Sequence, residues 1–238
     1  TEAVDRFTVG DDRLWDVRLA PYDILGSKAH AQMLATVGLL TADEAEALCS
    51  ELDNIMTLVT KEDFVIEDDF EDIHSKIEFM LTERLGDVGK KIHTSRSRND
   101  QVLTAMQLLL KDEITEIKEL TRALFSTWMS LAEKHKNDLL PGYTHLQVAM
   151  PSSFGLWFSA YAESLVDDVI LLNAAHTICD QNPLGSAAGY GSSFPIDRMH
   201  TTEALQFSTL KFNAVAAQMG RGKTERITAS DLGLLAAI

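Results

Sequence analysis

Residues 94–100 carry hydrogen-bonding side chains at every position. They read TSRSRND, and the following segment, 101–140, contains no glycine and no proline. That composition predicts a long helix beginning near 97–100. Its free N–H groups and positive dipole end would face these donors, so together they describe an anion-binding site. The alternative is that Ser97 or Asn99 caps the helix while the two arginines pair with acidic side chains.

A histidine follows a turn signal between two predicted long helices. The stretch LPGYTHLQVAMP, 140–151, places Pro141 and Gly142 before His145, and a Pro-Gly pair marks a turn. Histidine titrates near neutral pH, so His145 could transfer protons in a reaction. A lone histidine is more often a surface or hydrogen-bonded structural residue, and both interpretations stay open.

Three further segments could contribute to a site. Gly26 and Ser27 interrupt a helical pattern. Glycine destabilises the interior of a helix, so its presence there indicates either the close approach of a ligand or close packing against another helix. Asp72 and His74 lie near the start of another predicted helix, where an exposed polar face is the alternative. The glycine-rich loop 183–197 would either bind an anion or connect helices.

A series of predicted helices must position these segments. Apolar residues recur at steps of three and four from Leu103 to Leu131, and roughly 35 residues of helix span about 50 Å. Thr41 and Glu44 have the spacing of a capping box at another helix start. No long stretch alternates as a β-strand would, so the sequence predicts an all-α fold. The other predicted helices cover 22–37, 72–85, 151–180, 196–210 and 224 to the end of the chain.

Composition and charge exclude several classes of protein. The chain has 238 residues and a formal net charge of −15, which opposes binding to nucleic acid or to an anionic membrane surface. No apolar run approaches the roughly 18 residues of a membrane span, and the N-terminus shows no secretory signal, so a cytoplasmic protein is expected. The two cysteines, Cys49 and Cys179, have no metal-site spacing and are expected to be buried free thiols.

Five motifs, in chain order, resemble those of the argininosuccinate lyase family, a branch of the fumarase/aspartase superfamily. They are DILGSKAH, EDIHSKIE, GKKIHTSRSRNDQV, PGYTHLQ and NPLGSAAGYGSSFPIDR. The resemblance covers nearly the whole chain. Small departures occur at Ser95, which stands where the family often has glycine, and at Val148 and Met150.

That resemblance implies a lyase that splits argininosuccinate into arginine and fumarate by β-elimination. The reaction needs a base, an acid and fixed donors for the negative charge that builds on a substrate carboxylate. It needs no metal and no organic cofactor. The positions matching the family's site residues are His145 in proton transfer, Ser27, Arg98, Asn99 and Thr144 in substrate binding, and Asp72 and His74 lining the site.

The resemblance also implies a larger fold and an assembly. It implies a long-helix bundle of the fumarase/aspartase type and a homotetramer whose small-molecule sites are shared between subunits. Residues 1–90 would form an N-terminal helical domain, and residues 91–238 would begin the central bundle domain. A serine loop of the family would lie beyond residue 238. The chain is therefore expected to be the N-terminal and central portion of the family's length, and to be inactive alone.

Two other functions stay open. The chain could belong to another fumarate-releasing lyase, similar to adenylosuccinate lyase, and an assay of both substrates would separate the two. It could instead be a non-enzymatic structural protein on the same scaffold, as delta crystallin is. The presence of Asn99, Thr144 and His145 argues against that second alternative.

Overall fold

The computed structural model describes residues 7–61 and 64–237. Helices dominate these residues, and the predicted all-α class is confirmed. None of the described helices is long and apolar enough to cross a membrane. The helices are α1 (Asp12–Asp16), α2 (Ala20–Thr36), α3 (Ala42–Thr60), α4 (Ile73–Leu85), α5 (Asp87–Lys90), α6 (Arg98–Lys134), α7 (Phe154–Cys179), α8 (Arg198–Ala204), α9 (Ala214–Met219) and α10 (Lys223–Leu235).

The described residues group into two compact units. The first contains the chain up to Leu109 together with Asp180–Arg221, and the second contains Leu110–Cys179 together with the chain from Gly222. The boundary falls within α6, so this one helix contributes residues to both units. The division predicted from the family resemblance, 1–90 and 91–238, stays a prediction about the whole protein.

The core of the first unit is built mainly by α2, α3 and α4. Local signals set where these helices begin and end. At α3 the predicted capping box is confirmed, because the Glu44 amide donates to Thr41 Oγ1 over 3.2 Å and the Thr41 amide donates to Glu44 Oε2 over 3.1 Å. Burial of each large aliphatic side chain contributes roughly 1.5–3 kcal/mol to the stability of this core. Its fully buried members include Ile24, Leu34, Leu48, Leu52, Ile55, Ile73, Ile77 and Leu81.

Helix α4 carries two predicted site residues at its start. Asp72 is its N-cap, and Asp72 Oδ1 accepts a hydrogen bond from the Ser75 amide over 2.7 Å. The helix therefore begins at Ile73 and holds His74 in its first turn. It ends at Gly86, whose φ of 60° favours glycine. The predicted span of 72–85 is thus confirmed to within one residue.

The second unit contains most of α6 together with α7 and α10. Its buried cluster includes Ile114, Leu172, Ala175 and Cys179. Neither cysteine forms a disulfide; Cys179 is buried as predicted, whereas Cys49 is only partly buried. The last residue of the predicted final helix, 238, lies outside the described residues.

An antiparallel β-hairpin, which the sequence did not indicate, interrupts the helices of the second unit. Strands β1 (Leu139–Thr144) and β2 (Gln147–Ser153) pair with Thr144 opposite Gln147. The predicted start of the following helix at Pro151 was therefore wrong, since α7 begins only at Phe154. Both strands are mostly exposed, so they have no buried face to impose an alternating apolar pattern. Two two-residue strands, β3 (Gln181–Asn182) and β4 (Thr209–Leu210), form a short parallel pair in the first unit.

Candidate active site

The two units divide the predicted site residues between them. The first unit holds Ser27, Asp72, His74, Arg98 and Asn99. The second unit holds Thr144 and His145, which lie exposed at the end of the β-hairpin.

Helix α2 presents three buried polar residues on one face. Asp23, Ser27 and His30 are spaced by four and three residues, which places them on the same side of a helix. None of them is more than 1% exposed. Burial of polar groups is costly unless they have hydrogen-bond or ionic partners. Each of the three has such a partner from a later segment of the first unit.

Asp23 forms a buried ion pair with His74. Asp23 Oδ1 lies 2.9 Å from His74 Nδ1 and accepts a 2.8 Å hydrogen bond from Gln101 Nε2. Burial alone would raise the pKa of Asp23, but the nearby His74, Arg96 and Gln101 outweigh burial and leave that pKa lowered. Burial likewise opposes charge on His74, and the Asp23 carboxylate more than compensates, so the pKa of His74 is raised. The pair therefore favours a carboxylate and an imidazolium.

Arg96 is anchored to Ser27. Its side chain is 1% exposed, and Nη1 donates a 2.8 Å hydrogen bond to Ser27 Oγ. Nη2 lies 3.9 Å from Glu78 Oε1. Among the described residues, Arg96 Nε and Nη2 and Glu78 Oε1 are buried without a hydrogen-bond partner.

Arg98 contacts acidic and polar side chains of α4. Its Nη2 donates to Glu78 Oε2 over 3.2 Å and to Ser75 Oγ over 3.4 Å, and its Nη1 lies 3.8 Å from Asp72 Oδ1. Burial would raise the pKa of Glu78, but His93 and Arg98 beside it leave that pKa lowered. Arg98 is therefore paired with carboxylates of the protein itself, as the non-anion alternative predicts.

The chain enters α6 through a tight turn at 93–96. The Arg96 amide donates to the His93 carbonyl over 3.1 Å. Thr94 has φ −55° and ψ 124°, and Ser95 has φ 58°. These angles define a type II turn, in which the third position favours glycine. The serine found at position 95 is therefore strained.

The first turn of α6 is capped by its own side chains. Ser97 Oγ accepts from the Asn99 amide over 3.2 Å, and Asp100 Oδ1 accepts from the Ser97 amide over 2.9 Å. Asp100 Oδ2 accepts from the amides of Gly185 and Ala187, each over 2.9 Å. Two backbone amides of the glycine-rich loop 183–197 therefore donate to a carboxylate of the protein itself. Here the observed contacts fit the connecting alternative for that loop.

Asn99 has a partner that the sequence did not indicate. Arg221 Nη1 donates to Asn99 Oδ1 over 3.3 Å. The sequence also did not indicate that Asp23, Glu78 and Gln101 join the other polar residues in one connected set of contacts. We call this set the polar cluster; its members are Asp23, Ser27, Asp72, His74, Glu78, Arg96, Arg98 and Gln101. A usable signal existed for Asp23, since it precedes Ser27 by four residues within one helix. No comparable local signal exists for Arg221, which lies 122 residues from Asn99.

The structure brings side chains of both charges together but does not assign their roles. Ser27, Asp72, His74 and Arg98 belong to one connected set of contacts in the first unit. Such a set can hold a carboxylate by exchanging partners around its arginines. Among the described residues, no group of three histidine, cysteine or acidic side chains is arranged to hold a metal ion. The predicted roles of the site residues stay predictions.

Comparison with known proteins identifies the family of this chain. Residues 6–232 match the family described as Lyase. The chain is 58% identical over 234 residues to the argininosuccinate lyase of Parabacteroides distasonis, covering 98% of this chain and 52% of that protein. It is 44% identical over 230 residues to the argininosuccinate lyase of Xylella fastidiosa, covering 97% of this chain and 52% of that protein. The chain thus spans about half the length of these curated relatives.

Solved structures show the same fold. An EDDS lyase variant with bound fumarate has a TM-score of 0.84 at 24% identity, covering 92% of this chain and 43% of that one. A fumarate lyase:delta crystallin from Brucella melitensis bound to cobalt has a TM-score of 0.76 at 18% identity, covering 99% of this chain and 58% of that one. These likenesses confirm the predicted long-helix fold of the fumarase/aspartase type. Because the match to the Lyase family extends over residues 6–232, the chain belongs to that lyase family.

Proposed function

We propose that the complete protein is an argininosuccinate lyase, which cleaves argininosuccinate to arginine and fumarate by β-elimination. The observation that carries this proposal is the 58% identity to a curated argininosuccinate lyase over 98% of this chain. The polar cluster of the first unit supports it, because a dicarboxylate product requires donors and this cluster contains Arg98, with Asn99 next to it along the chain.

In such a reaction, a base removes a proton from the carbon next to a carboxylate. The carbon–nitrogen bond then breaks, the electron pair of the former C–H bond becomes the double bond of fumarate, and an acid protonates the departing guanidino nitrogen. Negative charge develops on the substrate carboxylate between these steps, and preorganised donors lower its free energy. The protein therefore needs a base, an acid and a separate group of donors.

His145 is our candidate for proton transfer. It lies exposed at the tip of the hairpin, with φ 50°, and Leu146 beside it has φ 64°. A two-residue turn with both residues in the left-handed region normally uses Asn-Gly or Gly-Gly. Neither residue is glycine here, so the turn stores backbone strain, and strain of this kind clusters at functional sites. This observation supports a functional role for His145 over a packing role.

Our candidates for binding the substrate are Ser27, Arg98 and Asn99 of the first unit and Thr144 of the second, and Asp72 and His74 are candidates for lining the site. Arg98 is about one-third exposed, which leaves its guanidinium within reach of a ligand. It contacts Glu78 Oε2 at 3.2 Å and Asp72 Oδ1 at 3.8 Å. A substrate carboxylate would have to replace at least one of these contacts. We expect a bidentate arginine–carboxylate pair to be stronger than the 3.8 Å contact that it displaces.

The substrate is a small molecule, and we propose that the complete protein acts in the cytoplasm as a homotetramer with sites shared between subunits. We further propose that the 238 residues alone lack a catalytic group and are inactive. The chain spans 52% of the length of its curated relative, so a comparable polypeptide would supply further residues.

The proposal is tested by assaying the complete source polypeptide with argininosuccinate and adenylosuccinate in parallel. Fumarate is followed by its ultraviolet absorbance. We expect release from argininosuccinate only. Release from adenylosuccinate only would place the protein in the other lyase branch, and release from neither substrate would favour a structural protein.

A further inference from the structure

Two side chains of α2 hold the segment that leads into α6. His30 Nε2 lies 2.9 Å from the Thr94 carbonyl oxygen. Burial lowers the pKa of His30 to about 3, so the ring is neutral and its Nε2–H donates. Three residues earlier on the same helix face, Ser27 Oγ accepts the 2.8 Å bond from Arg96 Nη1. The two contacts flank Ser95.

Ser95 is the strained residue of this turn. Its φ of 58° lies in the left-handed region, where a residue with a Cβ atom is disfavoured. Such a conformation persists only when the surrounding structure fixes it on several sides. A third contact serves the same purpose, since Ser95 Oγ donates a 2.7 Å hydrogen bond to Ser192 Oγ.

The anchors are themselves costly to bury. His30 is 0% exposed, and its Nδ1 has no hydrogen-bond partner among the described residues. The Arg96 side chain is 1% exposed, and two of its nitrogens are likewise without one in the described part of the chain. A hydrophobic residue at either position would avoid that cost. The hydrogen bond from His30 to Thr94 and that from Arg96 to Ser27 are therefore what these two polar side chains add to the structure.

We propose that His30 and Arg96 are positioning residues, which hold the strained 93–96 turn and so fix how Arg98 and Asn99 leave it. Arg98 lies two residues after Arg96, and Asn99 lies three residues after it. A change in the turn therefore redirects the side chains of Arg98 and Asn99. This inference rests on the proposed function, in which Arg98 and Asn99 bind the substrate. It gives His30 and Arg96 a role without any contact between them and the substrate.

The test compares variants that remove an anchoring contact with a variant that removes the backbone strain at Ser95. In the complete source polypeptide, His30→Leu and Arg96→Lys each remove an anchor, and Ser95→Gly removes the strain. We expect each anchor variant to lower kcat/KM for argininosuccinate by about tenfold or more, because misplacement of binding groups by about 1 Å costs up to a hundredfold. Adding Ser95→Gly to either variant should restore most of that loss, since glycine adopts the turn unaided. Ser95→Gly alone should stay within about threefold of wild type.

Amide hydrogen exchange at Arg96 provides a readout that does not depend on turnover. The Arg96 N–H closes the turn through its bond to the His93 carbonyl. We expect its exchange to be faster in His30→Leu and Arg96→Lys, and slower again when Ser95→Gly is added. Hydrogen exchange therefore tests the turn even if the wild-type protein cleaves neither argininosuccinate nor adenylosuccinate. Absence of cleavage would contradict the proposed function, but it would not by itself contradict the inference about the turn.

Two control variants separate the loss of an anchoring contact from general effects of substitution. Arg84→Lys makes the same substitution at an exposed arginine of the first unit, 3.9 Å from Glu51, and should change neither readout. His30→Gln keeps a donor near the position of Nε2 and should retain most of the activity, which also covers the case in which His30→Leu does not fold. Wild-type kinetics and exchange in both anchor variants would overturn the inference. An equal loss with and without Ser95→Gly would overturn it as well.

Discussion

Arg98, Arg96 and Asn99 are the three side chains on which an anion site at 94–100 would depend. In the structure each already has a partner within the protein: Glu78 for Arg98, Ser27 for Arg96 and Arg221 for Asn99. These contacts fit the alternative in which the arginines pair within the protein. Under our proposal, substrate binding would exchange the partners of Arg98.

Replacing Arg98 by alanine separates a binding role from a structural one. Its ion pairs are partly exposed, and such pairs contribute at most about 1 kcal/mol to the free energy of unfolding. Loss of a preorganised donor in the transition state costs about 10²–10³ in turnover. We therefore expect Arg98→Ala to melt close to wild type and to lose turnover by that factor. Arg84→Ala, which deletes an exposed arginine elsewhere in the unit, should retain both, and full turnover in Arg98→Ala would contradict the binding role.

The Asp23–His74 pair gives the stability a pH dependence. The lowered pKa of Asp23 contributes stability above the unfolded value of about 3.9, and the raised pKa of His74 contributes stability below its unfolded value of about 6.5. The full contribution is present between about pH 4 and pH 6.5. It is lost as pH falls through the lowered pKa of Asp23 and as pH rises through the raised pKa of His74.

Asp23→Asn should remove that dependence. Breaking a buried ion pair typically costs about 3–5 kcal/mol, so we expect a loss of that order in the free energy of unfolding near pH 5–6. The difference from wild type should shrink outside the window. Denaturant titrations at several pH values measure this, with Asp53→Asn as the control, since Asp53 pairs with Lys28 at the surface. A constant difference at every pH would show that the pair is not charged as described.

At the scale of elements, caps and breakers were predictable because they act locally. Thr41 and Glu44 fix the start of α3 through contacts three residues apart. Asp72 fixes the start of α4 in the same way, and Gly86 its end. These signals need no knowledge of the tertiary structure, and the boundaries predicted from them were confirmed.

The capping box also provides a prediction that isolates stability from function. Thr41→Ala removes the acceptor for the Glu44 amide and should lower the free energy of unfolding by about 1 kcal/mol. Thr57→Ala is the matched control, because Thr57 is exposed within the same helix and bonds only the Asp53 carbonyl among the contacts seen. Turnover should be unchanged in both variants. Equal melting of the two would contradict the capping assignment.

The hairpin and the polar cluster could not be derived in this way. The strands 139–144 and 147–153 are mostly exposed, so burial leaves no period in their sequence. In the cluster, Gln101 meets Asp23 across 78 residues and Arg96 meets Ser27 across 69. Such pairs are set by how helices pack, which no local spacing reveals. The family resemblance pointed to Ser27 and Arg98, but the contacts between them and their neighbours required the structure.

At the scale of the whole molecule, the helices of the second unit expose large apolar side chains. Leu120, Leu156 and Ile170 are each more than 60% exposed. Exposed apolar side chains of this size favour an interface with another subunit, and the proposed homotetramer would cover them. Light scattering at micromolar concentration should give four times the subunit mass, and Leu120→Lys should weaken the assembly. A monomeric wild type at that concentration would contradict the prediction.

The central claim is tested most directly by measuring the products of argininosuccinate with the complete protein and its His145→Asn variant side by side. We predict equal amounts of arginine and fumarate from wild type, with a pH–rate profile showing an ionisation near neutral pH. The variant should fold normally and lose about 10²–10⁴ in turnover, since that is what a proton-transfer group contributes. Absence of both products from wild type, or a His145→Asn variant as fast as wild type at every pH, would contradict the account.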